Sequence, residues 1–494
     1  MKRLAAFAIV LSGLSTLNAQ GVIVSGASSG RYIEVRPLVL DSVPFAQTDS
    51  AWGAYRQTSS GTLVRCTTLD AYCTFFRSAQ RQSLVAMMQD IDVTGWGFGE
   101  GVSVHAQLRA RTAAGAAREL WPQATQTFDA LAAYVDVDRS FARVRAGRQW
   151  LSSTLGVFNF DGLDLSVRPA SFLATQLYAG GALVEGLNRP LDAGALAPVE
   201  DLPPSDRAYL IGGSASVRRS GRGSLNLQYQ RVIRADRAAL YSERVGGTAD
   251  LNVGPATLSG QLVRDLAMGQ TNELAASVHS PLVFSFDGGF TVRHHAPYFD
   301  LWTIWGAFSP VGFDEIATDL HYAQRDGAIS LTANASWRSY QDTHSGLSFA
   351  PLRSDGWHVT VAGSARLLAS VRADASYGAD VGFGASGTNG DAAFRWSPAT
   401  PFTIALRATA FQTIDEFQIG QGRVVGLGAD ATWEISPMLR LAADAFLYRQ
   451  AIKDRPELVD WNQRRLNVRL EWSIGQGADE RPWDGIIGKA RGAP

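Results

Sequence analysis

Long apolar runs are missing from this sequence. After residue 17 no stretch offers eighteen consecutive apolar residues, which excludes a transmembrane helix. Cysteine is nearly absent as well. Cys66 and Cys73 are the whole supply, too few for a disulfide framework or a cysteine-built metal site. Only Lys2, Lys453 and Lys489 are lysines, so arginine carries almost all the positive charge. The formal net charge is -1, which gives no reason to expect nucleic acid as partner. No C-x-x-C-H haem-attachment motif occurs, nor any H-E-x-x-H, P-loop or G-x-S-x-G. His105 and His321 lie on separate polar faces, and His294-His295 straddles two. No cofactor, metal site or enzyme is expected.

What is present begins with an export signal. Met1-Lys2-Arg3 precedes an apolar run from Leu4 to Leu17, and Ala19 offers a cleavage point. Residues 1–19 are therefore read as a signal peptide, and the mature protein works outside the cytoplasm. In that setting Cys66 and Cys73, seven positions apart in one loop, are expected to form a stapling disulfide.

The rest of the chain repeats one pattern. From Val102 to Arg111 the residues Val102, Val104, Ala106, Leu108 and Ala110 alternate with Ser103, His105, Gln107, Arg109 and Arg111. Residues i and i+2 share a face of a strand, so one face is apolar and the other polar. The same alternation returns at Ile329–Arg338 and at Leu466–Ile474. Soluble sandwiches alternate too, but here the strands run about nine to twelve residues, the length a tilted strand needs to cross hydrocarbon. Short turns such as Gly254-Pro255 and Ser436-Pro437 alternate with long polar stretches. That is the connection pattern of a membrane barrel.

The expected fold is all-β: a transmembrane antiparallel up-and-down barrel of about twenty-two strands, within roughly eighteen to twenty-four. Its parts are a short periplasmic segment at 20–30, a barrel over 31–475 and a periplasmic tail at 476–494. The first strand is read at 31–44 and the long first loop, with both cysteines, at 46–83. So few residues precede the first strand that no plug domain is expected. Trp96, Trp150, Trp337, Trp357, Trp396, Trp433 and Trp472 read as anchors at headgroup level.

The polar faces should line a water-filled lumen. Arg109, Arg111, Arg143, Arg145, Arg338 and Arg440 are expected there, with Gln149 and the carboxylates Asp90, Asp92, Asp136, Asp430 and Asp444. Basic and acidic positions are close to equal, unlike a strongly anion-selective pore. Turn positions suggest that Asp136 faces Arg143, Glu434 faces Arg440 and Asp430 faces Asp444.

The stretch Val144-Arg145-Ala146-Gly147-Arg148-Gln149-Trp150, followed by Phe160-Asp161-Gly162-Leu163, resembles a strand–loop–strand segment of porin-like families, including the alginate-export type. That resemblance implies that Arg145 and Gln149 face the pore and that Gly147 lets its strand bend. The long first loop and the tail depart from the pattern, so no substrate is carried over. The expected role is an outer-membrane, porin-like channel for passive diffusion of small hydrophilic solutes. Its partners would be outer-membrane lipid and lipopolysaccharide, the barrel-assembly machinery and the solutes. The alternative is a scaffold barrel that sheathes a periplasmic multihaem cytochrome or a secretion partner.

Overall fold

The computed structural model describes residues 21–35, 38–52, 55–66, 71–78, 80–115, 128–183, 208–234, 240–281, 285–296, 312–325, 327–341, 354–382, 385–413, 422–452 and 461–475. The expected signal peptide (1–19) and tail (476–494) lie outside these residues.

The chain opens with β1 (Gly21–Val35). An insertion follows: β2 (Leu38–Pro44), β3 (Thr48–Trp52), β4 (Tyr55–Thr58), β5 (Leu63–Arg65) and β6 (Tyr72–Ser78). Next come β7 (Gln82–Trp96), β8 (Val102–Gly115), β9 (Phe128–Asp138), β10 (Ala142–Ser153), β11 (Gly156–Ala170), β12 (Leu173–Ala182) and β13 (Ala208–Arg219). They lead into β14 (Gly223–Arg234), β15 (Leu240–Val253), β16 (Ala256–Asp265), β17 (Gln270–Pro281), β18 (Phe286–His295), β19 (Phe313–Ala323) and β20 (Ile329–Tyr340). The last are β21 (Asp355–Leu368), β22 (Val371–Gly382), β23 (Ala385–Ala399), β24 (Phe402–Thr413), β25 (Gly422–Ser436), β26 (Leu439–Ile452) and β27 (Trp461–Gly475).

β1 and β7–β27 form one 22-stranded antiparallel sheet in chain order. It closes because β1 pairs with both β7 and β27. Closure matters in lipid, where an open edge would leave backbone groups with no water to replace their partners. At the end of the wall where β1 starts and β27 stops, the connections have two to five residues. The long connections gather at the opposite end. Among the described residues every strand outside β2–β6 is a wall strand, and none of them forms a plug domain.

The alternation read from the sequence divides the wall into two faces. Leu177, Leu251, Leu406, Leu427 and Leu447 are each exposed on the outer face. Six of the seven tryptophans considered in the sequence also point outward. Across β22, Val371 lies opposite Trp396 and Val381 opposite Trp357. Ten residues at ~3.3 Å each, tilted by ~40°, separate the two aromatic levels by roughly 25 Å. That is the height of the apolar band of an outer-membrane barrel.

One boundary differs from the sequence reading. Residues 21–30, expected as a periplasmic segment, belong to the first wall strand, and residues 38–44 belong to the insertion instead. The reason is the outward face of β1: Val22, Val24, Gly26, Ser28, Gly30, Tyr32 and Glu34 show no apolar period. The Trp472 ring of β27 lies over Gly26, where a Cβ would come within 2.7 Å of it. A neighbour thus supplies the greasy surface that β1 lacks.

The insertion forms its own five-stranded sheet in the order β2-β6-β5-β4-β3. Cys66 and Cys73 are joined by a disulfide. With Val64 they form a small core, against which Val43 and Phe75 pack.

Candidate functional site on the inner wall

Each charge expected in the lumen lies on the face opposite the exposed leucines. A strand forces this, because Arg109 and Arg111 are two apart and Ala110 between them must point outward. The inner charges are then brought into pairs. Arg109 Nε donates to Asp90 Oδ1 at 2.6 Å, and Arg111 approaches Asp129 at 3.2 Å. Asp92 lies opposite Gln107. Arg338 bonds Glu315, and Arg440 and Arg469 converge on Glu471 at 3.5 and 2.8 Å. Opposite charges on neighbouring strands stabilise a sheet by a few tenths to about 1 kcal/mol each. More important here, they cancel one another's field in the lumen.

Asp136 lies directly opposite Arg145, not Arg143. Arg143 nevertheless reaches it diagonally, with Nε 2.9 Å from Asp136 Oδ1, while Arg145 stands 3.8 Å away and covers the Tyr134 ring. Asp430 does face Asp444, and Glu434 faces Arg440. Each of the two aspartates has a partner of its own. Arg407 bonds Asp430, and Asn467 Nδ2 donates to Asp444 at 3.0 Å.

The feature that the sequence reading missed is a hairpin tip turned into the lumen. β10 and β11 are joined only by Thr154-Leu155, so the expected loop between Trp150 and Phe160 is strand. The Thr154 amide donates to Gln228 Oε1 on β14 at 2.8 Å, three strands from β11. Leu155 is buried and lies where a Cβ on Gly246 of β15 would meet it at 2.7 Å. Gln228 and Gly246 share the inner face with Asn226 and Asp250. The tip therefore crosses the inside of the wall, over β12 and β13. Beneath it Phe160, Tyr178, Ala182, Ala208, Leu210 and Val232 form a buried cluster, with Leu151 and Phe158 packed against it. Tyr178 Oη donates to Gln230 Oε1 at 3.2 Å, which satisfies the one polar atom that its ring carries into this cluster.

A crease lets the hairpin bend inward. Gly147, Gly162 and Gly180 are opposite one another on β10, β11 and β12. Gly147 has φ 127°, and a Cβ there would sit 2.2 Å from Ala133 O. Gly147→Ala is expected to destabilise the barrel by about 1–3 kcal/mol from backbone strain alone, with the clash in addition. Loss of the heat-modifiable folded band on electrophoresis, or an early unfolding midpoint, would register it; wild-type behaviour would count against the crease.

Gln149 is inward and buried, and its Nε2 donates to Gly162 O at 3.2 Å. Trp96 is the tryptophan that differs, since it lies opposite Ser103, which faces Asp136 on the inner side. His105 is held by Thr94 and Ser103 at 3.3 and 3.1 Å and stacks on Tyr134. His321 bonds Thr332 at 3.1 Å on a distant part of the wall.

A closed ring of 22 strands, greasy and Trp-belted outside and charged inside, defines a bacterial outer-membrane β-barrel of the porin-like type. No family model matches the chain, and no curated protein matches it. Among solved structures it is similar to OpdQ of Pseudomonas aeruginosa, with 9% identity over 92% of this chain and 98% of that one, TM-score 0.39. It is also similar to a BenF-like porin from Pseudomonas fluorescens Pf-5, with 9% identity over 92% and 99% of the two chains, TM-score 0.42. The translocation pore of the P pilus usher PapC gives 10% identity, 92% and 99% coverage and TM-score 0.43. Likeness this distant does not reach the interior. The assignment rests on the wall itself.

Proposed function

We propose that this chain is a porin-like channel through which small hydrophilic solutes diffuse passively. The observation that carries the reading is the width of a closed wall whose inner face is polar. A circular ring of 22 strands would be roughly 40 Å across at the backbone, too wide for wall side chains to fill. Water must then wet the inner face, and the paired charges are stable there. The short turns would face the periplasm and the long connections the outside. Outer-membrane lipid, lipopolysaccharide and the barrel-assembly machinery would be its partners in the envelope.

Because the inner charges compensate one another, selectivity between anions and cations should be weak. The purified protein in planar bilayers is expected to give stepwise conductance with a reversal potential near zero in a salt gradient. Liposomes containing it should swell in small sugars. A strong preference for one ion sign would contradict the compensated wall. A barrel that stays closed alone, and conducts electrons only with a periplasmic multihaem cytochrome, would replace the channel with the scaffold reading.

A further inference from the structure

We infer that the inner wall from β20 to β26 carries a binding track for a neutral oligosaccharide; this deepens the channel reading above and rests on it. A groove of about 490 Å³ lies there. Its lining belongs to two adjacent inward rungs of the sheet. One runs Ser330, Ser364, Asp374, Ala393, Arg407, Gly428, Phe446, each opposite the next. The other runs Thr332, Ala362, Ser376, Asp391, Thr409, Gly426, Tyr448 in the same way. Small side chains on two rungs, with Arg366, Arg372 and Arg395 below and Asn389 and Phe411 above, make the depression.

The groove has direction and length. Rungs follow the hydrogen-bond direction, and seven strands at ~4.8 Å make it roughly 29 Å long. Strand tilt makes such a rung climb the wall obliquely. An elongated solute could lie along it while moving across the membrane.

Its chemistry selects the class of solute. Phe446 and Tyr448 end the track with ring planes 17° apart and centroids 5.7 Å apart. Gly428 and Gly426 stand opposite them, and a Cβ at either would come within 2.4 and 2.6 Å of those rings. Glycine is thus what allows the two rings to lie against the wall. Flat aromatic surface takes the apolar face of a sugar ring. The remaining lining supplies hydroxyls and paired charges. Arg372 donates to Ser364 at 2.7 Å and to Asp374 at 2.9 Å, and Arg395 reaches Asp374 at 3.3 Å. Arg407 bonds Asp430, and Asp391 in the lining and Arg465, 4.9 Å from the centroid of the Tyr448 ring, add one charge of each sign, so the groove carries both signs. Donors, acceptors and charges of both signs beside an apolar platform suit a ring-shaped polyol. They suit neither an inorganic anion nor a purely aromatic acid.

The test is channel block. Maltotriose added to single channels in planar bilayers is expected to reduce the current saturably, whereas sorbitol, with hydroxyls but no ring, should not. The double variant Phe446→Ala/Tyr448→Ala should weaken the block about tenfold or more and leave sugar-free conductance nearly unchanged. Phe446→Leu and Tyr448→Leu keep an apolar side chain without the ring and should each weaken it, which guards against a folding failure of the double variant. Absence of block in wild type, equal block by sorbitol, or equal block in the Leu variants overturns the track. Absence of ion conductance would instead overturn the channel reading. In that event saturation-transfer NMR of maltotriose on the detergent-solubilised full chain decides the track: a signal lost in the variants supports it, and none in wild type ends it.

Discussion

An arginine at Ala375 is expected to destabilise the barrel by about 2–4 kcal/mol, whereas one at the neighbouring Ser376 should change stability by less than about 0.5 kcal/mol. Ala375 is on the outer face of β22, between Val371 and Val381, the positions opposite Trp396 and Trp357. It therefore sits near the middle of the apolar band, where a guanidinium meets hydrocarbon. Ser376 points the other way, into the groove. Reversible guanidinium unfolding of the barrel in lipid vesicles measures both. A large difference between adjacent residues shows that one face of the wall is held in apolar surroundings and the other in water, and in lipid vesicles those surroundings are the bilayer. Equal costs would remove the membrane assignment, because position 375 would then not meet hydrocarbon.

Strict alternation made most of that wall legible. Val102–Thr112, Ile329–Arg338 and Leu466–Ile474 each display both faces in full, and they fall within β8, β20 and β27. Turn residues marked the short connections for the same reason that they fold there: Pro and Gly end pairing between strands. The strand with the wrong boundary, β1, is the one whose lipid face is built by another strand. A local pattern cannot register that Trp472 covers Gly26. The total of twenty-two was still reached, since residues 31–35 belong to β1 and stood in for the whole of it.

The interior was legible only as a face. Parity placed Arg109, Asp136 and Asp430 on it, but parity cannot fix which charge meets which. The turn after Asp138 sets the opposite partner of Asp136 as Arg145, two residues beyond the one expected. Nor did the pattern reveal the inward hairpin, although a signal exists. On the inner face of β11 the order Ser166, Asp164, Gly162 is polar or small, and then Phe160 and Phe158 follow. The inner faces of β13 and β14 change in step, at Leu210 and Ala208 and at Val232. A face that turns from polar to apolar along one strand, on several adjacent strands, marks where water is excluded. Reading each strand alone hides that coincidence.

The exclusion of water has a measurable consequence at Phe160. Apolar side chains on the outer face are already in hydrocarbon and gain nothing further by being covered. On the inner face they would meet water, so covering them stabilises by roughly 25 cal/mol per Å². This is the physical reason for Thr154 and Leu155 to fold over β12–β15. Phe160 is 0% exposed, the most buried large side chain of the cluster, while Leu163 on the same strand is 59% exposed on the lipid side. Phe160→Ala is expected to cost about 3–5 kcal/mol, and Leu163→Ala far less. Loosening the cluster should also free the hairpin tip from Gln228 and raise single-channel conductance, an effect that Leu163→Ala cannot share. If both variants unfold at the same denaturant concentration and conduct alike, the hairpin does not hold its place in the lumen. The narrowing of the channel would then have to come from another segment.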